Sequence, residues 1–235
     1  MSRVAAVVPA AGLGTRLGPG QTKAIRPIGG VPLVVRALHA LDAGREIDVG
    51  VLVAPAARCA EFQALLDAAG LTSRWSTLAG GETRSQSVAC GLAMLPPDVD
   101  VVLVHDAARA FVPSAVVGRV VTAVEAGADA VVPVVPVADT VRQVDASGAV
   151  LRTLDRTGLR GVQTPQAFRR RVLDEAYAAH AAAGSAAEPA TDDASLVERL
   201  GVRIAVVEGD ALGFKITGPL DLLLAEALAA AESTR

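Results

Sequence analysis

The sequence predicts an α/β fold: one domain spanning residues 1–235, built on a mostly parallel sheet with helices on both faces, plus a protruding β-hairpin arm. Three observations predict it. β-Branched apolar runs recur along the chain and are separated by longer stretches of helical period. The runs lack polar alternation, as strands covered on both faces require. One segment, residues 137–159, breaks the rhythm with two alternating runs around a turn.

In order, strands are expected at Ala5–Val8, Val49–Ala54, Val99–His105, Ala130–Val135 and Val202–Val207. Helices fit between and after them, at Leu33–Leu41, Ala57–Ala69, Ser85–Met94, Ser114–Ala126, Arg169–Ala183 and Pro219–Ala230. The last has a clean start, because Pro219 suits the first helical position and Asp221 sits in the positive first turn. Within 137–159, Asp145-Ala146-Ser147-Gly148 reads as a hairpin turn. An isolated two-stranded hairpin is marginal in water, so it is expected to pack on something, such as a second subunit.

Composition narrows the class. With 235 residues, 51% of them apolar and 3% aromatic, the chain can bury a full, aliphatic core. A formal net charge of -3 gives no general attraction to nucleic acid or to acidic membranes, so an anion site must be built locally from a few cations. The only cysteines, Cys59 and Cys90, fall in helical stretches and form neither a disulfide framework nor a zinc pattern. The early apolar run is cut short by Pro9 and the glycines, and no later run reaches the ~18 residues of a membrane span. The expectation is a soluble cytoplasmic protein.

After the first strand comes Val7-Val8-Pro9-Ala10-Ala11-Gly12-Leu13-Gly14-Thr15-Arg16-Leu17-Gly18. In open α/β sheets ligands bind beyond the carboxyl ends of the strands, and glycines there let backbone N–H groups approach an anion. The dinucleotide spacing GxGxxG fails because the third glycine is one residue late, and no GxxxxGK[ST] string exists. Instead the loop carries Arg16 and then Lys23, two cations suited to a triphosphate undergoing substitution at phosphorus. The competing interpretation is a glycine-rich surface turn with two solvated cations.

Three further constellations stand out. "VVLVHDAARA" places Asp106 at the end of a central strand, where Mg²⁺ could be held by one carboxylate plus phosphate oxygens; an Asp106–Arg109 ion pair is the alternative. His105 is expected to be packed or to stand behind the site. "GGETRSQS", residues 80–87, offers amides and hydroxyls at a helix start, or simply a glycine turn and a serine N-cap. "LDRTGLRGVQTPQAF", "TDDASL" and "GFKIT" add arginine, threonine, acid and Lys215, although Thr191-Asp192-Asp193 also makes a good helix start.

Together, "PAAGLGTRLG", "GGETRSQS", "LVHDAARA", "DRTGLRGVQTPQ", "TDDASLVE" and "FKITGPLDLLLAE" span nearly the whole chain. In this order they resemble the 2-C-methyl-D-erythritol 4-phosphate cytidylyltransferases of the non-mevalonate isoprenoid pathway. The resemblance implies a Rossmann-like nucleotidyltransferase domain. It also implies a reaction: the phosphate of methylerythritol phosphate attacks the α-phosphorus of CTP, releasing pyrophosphate and giving 4-diphosphocytidyl-2-C-methyl-D-erythritol. By resemblance Ala10, Ala11, Gly12, Leu13 and Gly14 wrap the triphosphate, and Arg16, Lys23 and Lys215 are the catalytic cations. Gly81, Glu82, Arg84 and Ser87 match the cytosine-reading loop, Ala107 lies near the ribose, and Asp106 matches the ligand of Mg²⁺ or another divalent cation. The acceptor phosphate and polyol fall to Arg109, Thr140, Arg156, Thr164 and Thr191, with Lys215. Arg156 is implied to reach the neighbouring subunit's site from the 137–159 arm of a homodimer.

The chain departs from the pattern at Ala110, which replaces a frequent proline after Arg109 with little functional effect expected, and around the loop lysine. Gln21-Thr22-Lys23 lacks the usual proline before the lysine, which removes a local constraint, and Arg26 adds a third cation nearby. Three other functions compete. A cytidylyltransferase for another polyol phosphate, such as ribitol 5-phosphate, would share the nucleotide half. A nicotinamide-dependent oxidoreductase is disfavoured by the glycine spacing and by the absence of an acid where "VLVAPAARC" ends its strand. A noncatalytic nucleotide-binding regulator would carry the same motifs without turnover.

Overall fold

The computed structural model describes residues 2–12, 23–44, 46–184 and 190–232. Its strands and helices follow in the order β1 (Val4–Pro9), β2 (Pro27–Ile28), β3 (Val31–Pro32), α1 (Leu33–Asp42), β4 (Val49–Ala54), α2 (Cys59–Ala68), β5 (Trp75–Ala79) and α3 (Arg84–Met94). Next come β6 (Val101–Val104), α4 (Ser114–Glu125), β7 (Ala130–Pro136), β8 (Arg142–Val144), β9 (Val150–Thr153), β10 (Arg160–Val162) and β11 (Gln166–Arg169). The chain then forms α5 (Arg170–Ala183), α6 (Asp193–Glu198), β12 (Ile204–Glu208) and α7 (Pro219–Glu232).

Among the described residues the main sheet has eight strands. β1 lies at its centre, parallel to both β4 and β6, with Val7 beside Val51 on one side and Val104 on the other. β5 continues the parallel pairing beyond β4. β11 runs antiparallel between β6 and β7. β10 pairs antiparallel with the end of β7, so β10 and β11 follow that strand as two pieces of one interrupted path. β12 pairs parallel with the other edge of β7. The antiparallel insertion at Gln166–Arg169 was not anticipated: a four-residue strand starting just after Pro165 carries too short a pattern to be read alone.

Pleating divides the core between the two faces. Val4, Ala6 and Val8 pack with Leu38 of α1, Phe62 of α2 and Val120 of α4. Ala5 and Val7 point the opposite way, into a cluster with Val88 of α3, Leu173 of α5 and Val197 of α6. Apolar residues at successive positions of β1 are therefore all buried, which is why the strand runs showed no polar alternation. α3 comes so close to β1 that a Cβ on Gly91 would stand 2.5 Å from Val7 Cγ1. A third cluster, including Ile28, Phe111, Ile216, Ala225 and Ala229, seats α7 against the β2–β3 ribbon. The start of α7 is as expected, with the Asp221 carboxylate accepting from the N–H groups of Thr217 and Gly218.

The hairpin also forms where the sequence places it. β8 and β9 pair only with each other in a two-stranded sheet, and residues 142–153 are exposed throughout. Asp145 accepts from the N–H groups of Ser147 and Ala149, and Gly148 takes φ +84°, a turn conformation that suits glycine. Cys59 and Cys90 are free thiols on α2 and α3. Among the described residues no helix is long and apolar enough to cross a membrane.

Candidate active site

A cavity of about 210 Å³ opens beyond the carboxyl ends of β1, β5 and β6. Its walls are Ala10, Ala11 and Gly12 after β1, Gly81 to Arg84 with Ser87 at the start of α3, and Asp106 to Ala108 after β6. Lys23, from the short turn before β2, and Lys215, before α7, complete it. Leu13, Gly14 and Arg16 lie outside the described residues.

Local rules position the walls. The Ala10 N–H donates to the Val53 carbonyl at 2.7 Å, which carries the sheet one residue past β1 before the loop departs. Gly80 allows the next approach, since a Cβ there would meet Ser87 Oγ at 2.6 Å and Ala11 Cβ at 3.0 Å. α3 is capped by Thr83 rather than by a serine: Thr83 Oγ1 accepts from the Gln86 N–H, and Gln86 Oε1 accepts from the Thr83 N–H. This capping box presents Arg84 as the first helical residue, at the cavity. The Ser87 hydroxyl turns inward and donates to the Thr83 carbonyl at 2.9 Å.

Asp106 is the electrostatic centre. Its carboxylate lies 2.8 Å from Lys215 Nζ, 3.4 Å from Arg84 Nη2 and 3.9 Å from Arg109 Nε. Burial pushes its pKa up, but Arg84, Lys215 and Arg109 outweigh that and hold it down at about 2. The carboxylate is therefore ionised at neutral pH, and the Asp106–Arg109 pair is the longest of its three ion pairs.

Behind it, the Asp106 N–H donates to Thr164 Oγ1 at 3.0 Å, and Thr164 Oγ1 lies 3.1 Å from His105 Nδ1. His105 Nε2 lies 3.1 Å from the Arg109 carbonyl. A carbonyl only accepts, so Nε2 is the protonated nitrogen and Nδ1 accepts the Thr164 hydroxyl. Burial lowers the His105 pKa to about 4 and keeps the ring neutral. The expectation of a packed histidine behind the site therefore matches the geometry.

The remaining expected residues are placed differently. Arg109 donates from Nη1 to the Gly213 carbonyl and from Nη2 to the Val162 carbonyl, which fixes its guanidinium beneath Asp106. Thr164 is buried, with its hydroxyl engaged as above. Thr140, Arg156 and Thr191 are exposed and are not among the residues lining the cavity. Thr140 and Arg156 share the base of the arm, where Arg156 Nη1 donates to the Ala138 carbonyl.

A divalent cation fits Asp106 on one condition. Among the described residues no cluster of three His, Cys, Asp or Glu side chains exists, so they form no protein cage; Asp106 and Glu82 are the carboxylates on the cavity wall. Mg²⁺ is commonly held by one or two carboxylates together with phosphate oxygens and water. The donor set suits an ion that shares its coordination with a nucleotide.

Sequence reading missed the support for Arg84. Its Nη2 donates to Asp193 Oδ2 at 2.7 Å, and the Tyr177 hydroxyl donates to Asp193 Oδ1 at 2.5 Å. The only available signal was the second aspartate of "TDDAS", which helix capping seemed to explain. The cap is in fact Asp192, which accepts from the Ser195 N–H.

Comparison with known proteins identifies the family. Residues 4–230 match the family described as 2-C-methyl-D-erythritol 4-phosphate cytidylyltransferase. The chain belongs to that family. A cytidylyltransferase of this name from Streptomyces coelicolor is 48% identical over 97% of the chain and 86% of its own length. Another from Saccharopolyspora erythraea is 51% identical over 97% of the chain and 99% of its own. The crystal structure titled 2-C-methyl-D-erythritol 4-phosphate cytidylyltransferase from Thermus thermophilus superposes with a TM-score of 0.75 at 37% identity, covering 97% of this chain and 99% of that one. The cytidylyltransferase resemblance is thus borne out, together with the α/β fold class.

Proposed function

We propose that the cavity between β1, α3 and β6 is where CTP and 2-C-methyl-D-erythritol 4-phosphate react. The chemistry is that of the family, a nucleotidyl transfer in isoprenoid biosynthesis: CMP passes from CTP to the acceptor phosphate, giving 4-diphosphocytidyl-2-C-methyl-D-erythritol and pyrophosphate. The observation that carries the site assignment is the convergence of Lys23, Arg84, Asp106 and Lys215 on one cavity at the strand ends.

Each group then has a physical task. A phosphate monoester is already nucleophilic at neutral pH, so no general base is needed and rate enhancement rests on positioning and charge. Ala10, Ala11 and Gly12 leave room for the triphosphate, and Lys23, with Arg16, offsets charge on the transferring group and the departing pyrophosphate. Gly81, Glu82, Arg84 and Ser87 read cytosine, with Ala107 beside the ribose. Asp106 would hold a divalent cation, which when bound neutralises and orients the nucleotide phosphates. Lys215 and Arg109 bring positive charge to the acceptor side, Thr164 braces Asp106 from behind, and Thr140 and Thr191, outside the cavity wall in this chain, are the positions that match the family's acceptor contacts.

The 137–159 arm completes the reading as a homodimer contact that carries Arg156 to the partner's cavity. Val144, Val150 and Leu151 are each more than half exposed on it, which suits a surface that is covered in the assembly. Free thiols suit a reducing cytoplasm. The test is pyrophosphate release with each nucleoside triphosphate against a panel of polyol phosphates, in the presence of Mg²⁺. Release is expected with CTP and methylerythritol phosphate. Its absence would overturn the reading, and turnover of ribitol 5-phosphate instead would reassign the acceptor.

A further inference from the structure

Arg84 Nη2 stands between two carboxylates, 2.7 Å from Asp193 and 3.4 Å from Asp106. We propose that Asp193 and Tyr177 are positioning residues that draw Arg84 toward the back of the cavity, keeping it available to the nucleotide and limiting its hold on Asp106 to the longer, 3.4 Å contact.

Asp193 is wholly buried, and a buried carboxylate persists as an ion only when its oxygens are paired. Both are: Oδ1 accepts the Tyr177 hydroxyl and Oδ2 accepts Arg84. Tyr177, itself buried, thereby occupies one oxygen and leaves the other facing Arg84. The carboxylate cannot follow the arginine outward, because the start of α6 is tied to the sheet. Gln166 of β11 donates from Nε2 to Asp192 Oδ2 at 2.7 Å and accepts the Ala194 N–H on Oε1 at 3.0 Å.

The relay thus runs from the core of the sheet, through the first turn of α6, to a guanidinium at the cavity wall. Its consequence lies at Asp106. In Asp193→Asn, Asp106 becomes the stronger partner for Arg84, and the guanidinium is drawn away from its place at the back of the cavity. This inference rests on the reading of Arg84 as a nucleotide contact, which the experiment separates from it.

The test uses Tyr177→Phe, Asp193→Asn, Arg84→Ala and the double variant Tyr177→Phe/Arg84→Ala in the full-length chain. KM for CTP, kcat, and the ratio of kcat/KM for CTP to that for UTP are measured beside circular dichroism melts. Asp193→Asn is expected to raise KM for CTP about tenfold or more, and Tyr177→Phe about threefold to tenfold, as fits the loss of a charge-assisted hydrogen bond. Both should lower the CTP preference and leave kcat within about threefold. In the Arg84→Ala background Tyr177→Phe should add nothing, because its effect passes through Arg84. A merely structural role would lower the melting temperature without changing nucleotide preference. The inference is overturned if folded Tyr177→Phe keeps the wild-type KM and CTP preference, or if its effect persists in full without Arg84. Should Arg84→Ala itself leave KM for CTP unchanged, the nucleotide role of Arg84 falls first and this inference with it. Tyr177→Phe carries the test alone if Asp193→Asn does not fold.

Discussion

Lys215 Nζ lies 2.8 Å from Asp106 Oδ2, joining the segment just before α7 to the end of β6. The pair sets the charge balance of the cavity. Counting Lys23, Arg84, Arg109 and Lys215 against Asp106, Asp193 and Glu82, the immediate surroundings keep a net positive charge although the chain as a whole carries -3. A polyphosphate is the natural counter-charge for such a place. Neutralising Asp106 should therefore preserve the cationic walls and remove the carboxylate proposed to hold the metal. Asp106→Asn is expected to lower kcat/KM by about 10² to 10³, roughly 3 to 4 kcal/mol of transition-state stabilisation. Steady-state kinetics over a Mg²⁺ titration would check it, and wild-type rates would remove Asp106 from the reaction.

Lys23 lines the same cavity. Lys23→Ala should cost about 3 kcal/mol in transition-state stabilisation, the usual scale for one charge-stabilising donor. The loss should fall mainly on kcat. Single-turnover measurements at saturating CTP and Mg²⁺ separate it from a binding defect, and unchanged turnover would exclude Lys23.

Acid stability should show two separate windows. His105 has its pKa depressed from 6.5 to about 4, so the unfolded chain takes up its proton first. Stability present above pH 6.5 is then lost as pH falls toward 4, by about 3 kcal/mol for the full interval. Asp106 is depressed from 3.8 to about 2, so its share is present above pH 3.8 and is lost between there and 2. Urea melts of the wild type and of His105→Gln, read between pH 7 and 4, should give a shallower pH slope for the variant. Equal slopes would mean that His105 is not buried in its neutral form.

Gly91 is a packing test independent of catalysis. Alanine would gain up to about 1 kcal/mol in helix propensity, but its Cβ would stand 2.5 Å from Val7 Cγ1. Overpacking of that kind costs about 1 to 3 kcal/mol, so Gly91→Ala should destabilise the fold on balance. Adding Val7→Ala should recover part of the loss of packing compatibility in a double-mutant cycle. Additive effects would show that the contact is not the cause.

The shared site can be tested by complementation. If Arg156 serves the partner's cavity, mixing inactive Arg156→Ala and Lys23→Ala proteins should restore activity through hybrid dimers, each holding one intact site. No recovery despite demonstrated subunit exchange would place Arg156 in its own subunit's chemistry or outside it.

Much of this was legible in the chain because it rests on local rules. The uninterrupted apolar runs of β1, β4, β6 and β7 announced strands covered on both faces, and Asp145 to Gly148 announced the hairpin turn. Ala10 to Gly12, Arg84, Asp106 and Lys215 were placed by motif, and the fold brings them to one cavity. β11 was not legible: its place between β6 and β7 comes from pairing with both neighbours, not from its four residues.

The sequence alone determined which residue types are available and where the main parallel strands and longer helices lie, since periodicity, turn chemistry and capping act over a few residues. Only the tertiary structure decided how the charges are paired. Arg84 meets Asp193 and Asp106, Thr164 turns to His105, and Arg109 spends its terminal nitrogens on the carbonyls of Gly213 and Val162. Those choices depend on which groups are buried together. Burial makes an unpaired polar atom costly, and no local pattern records who its partner will be.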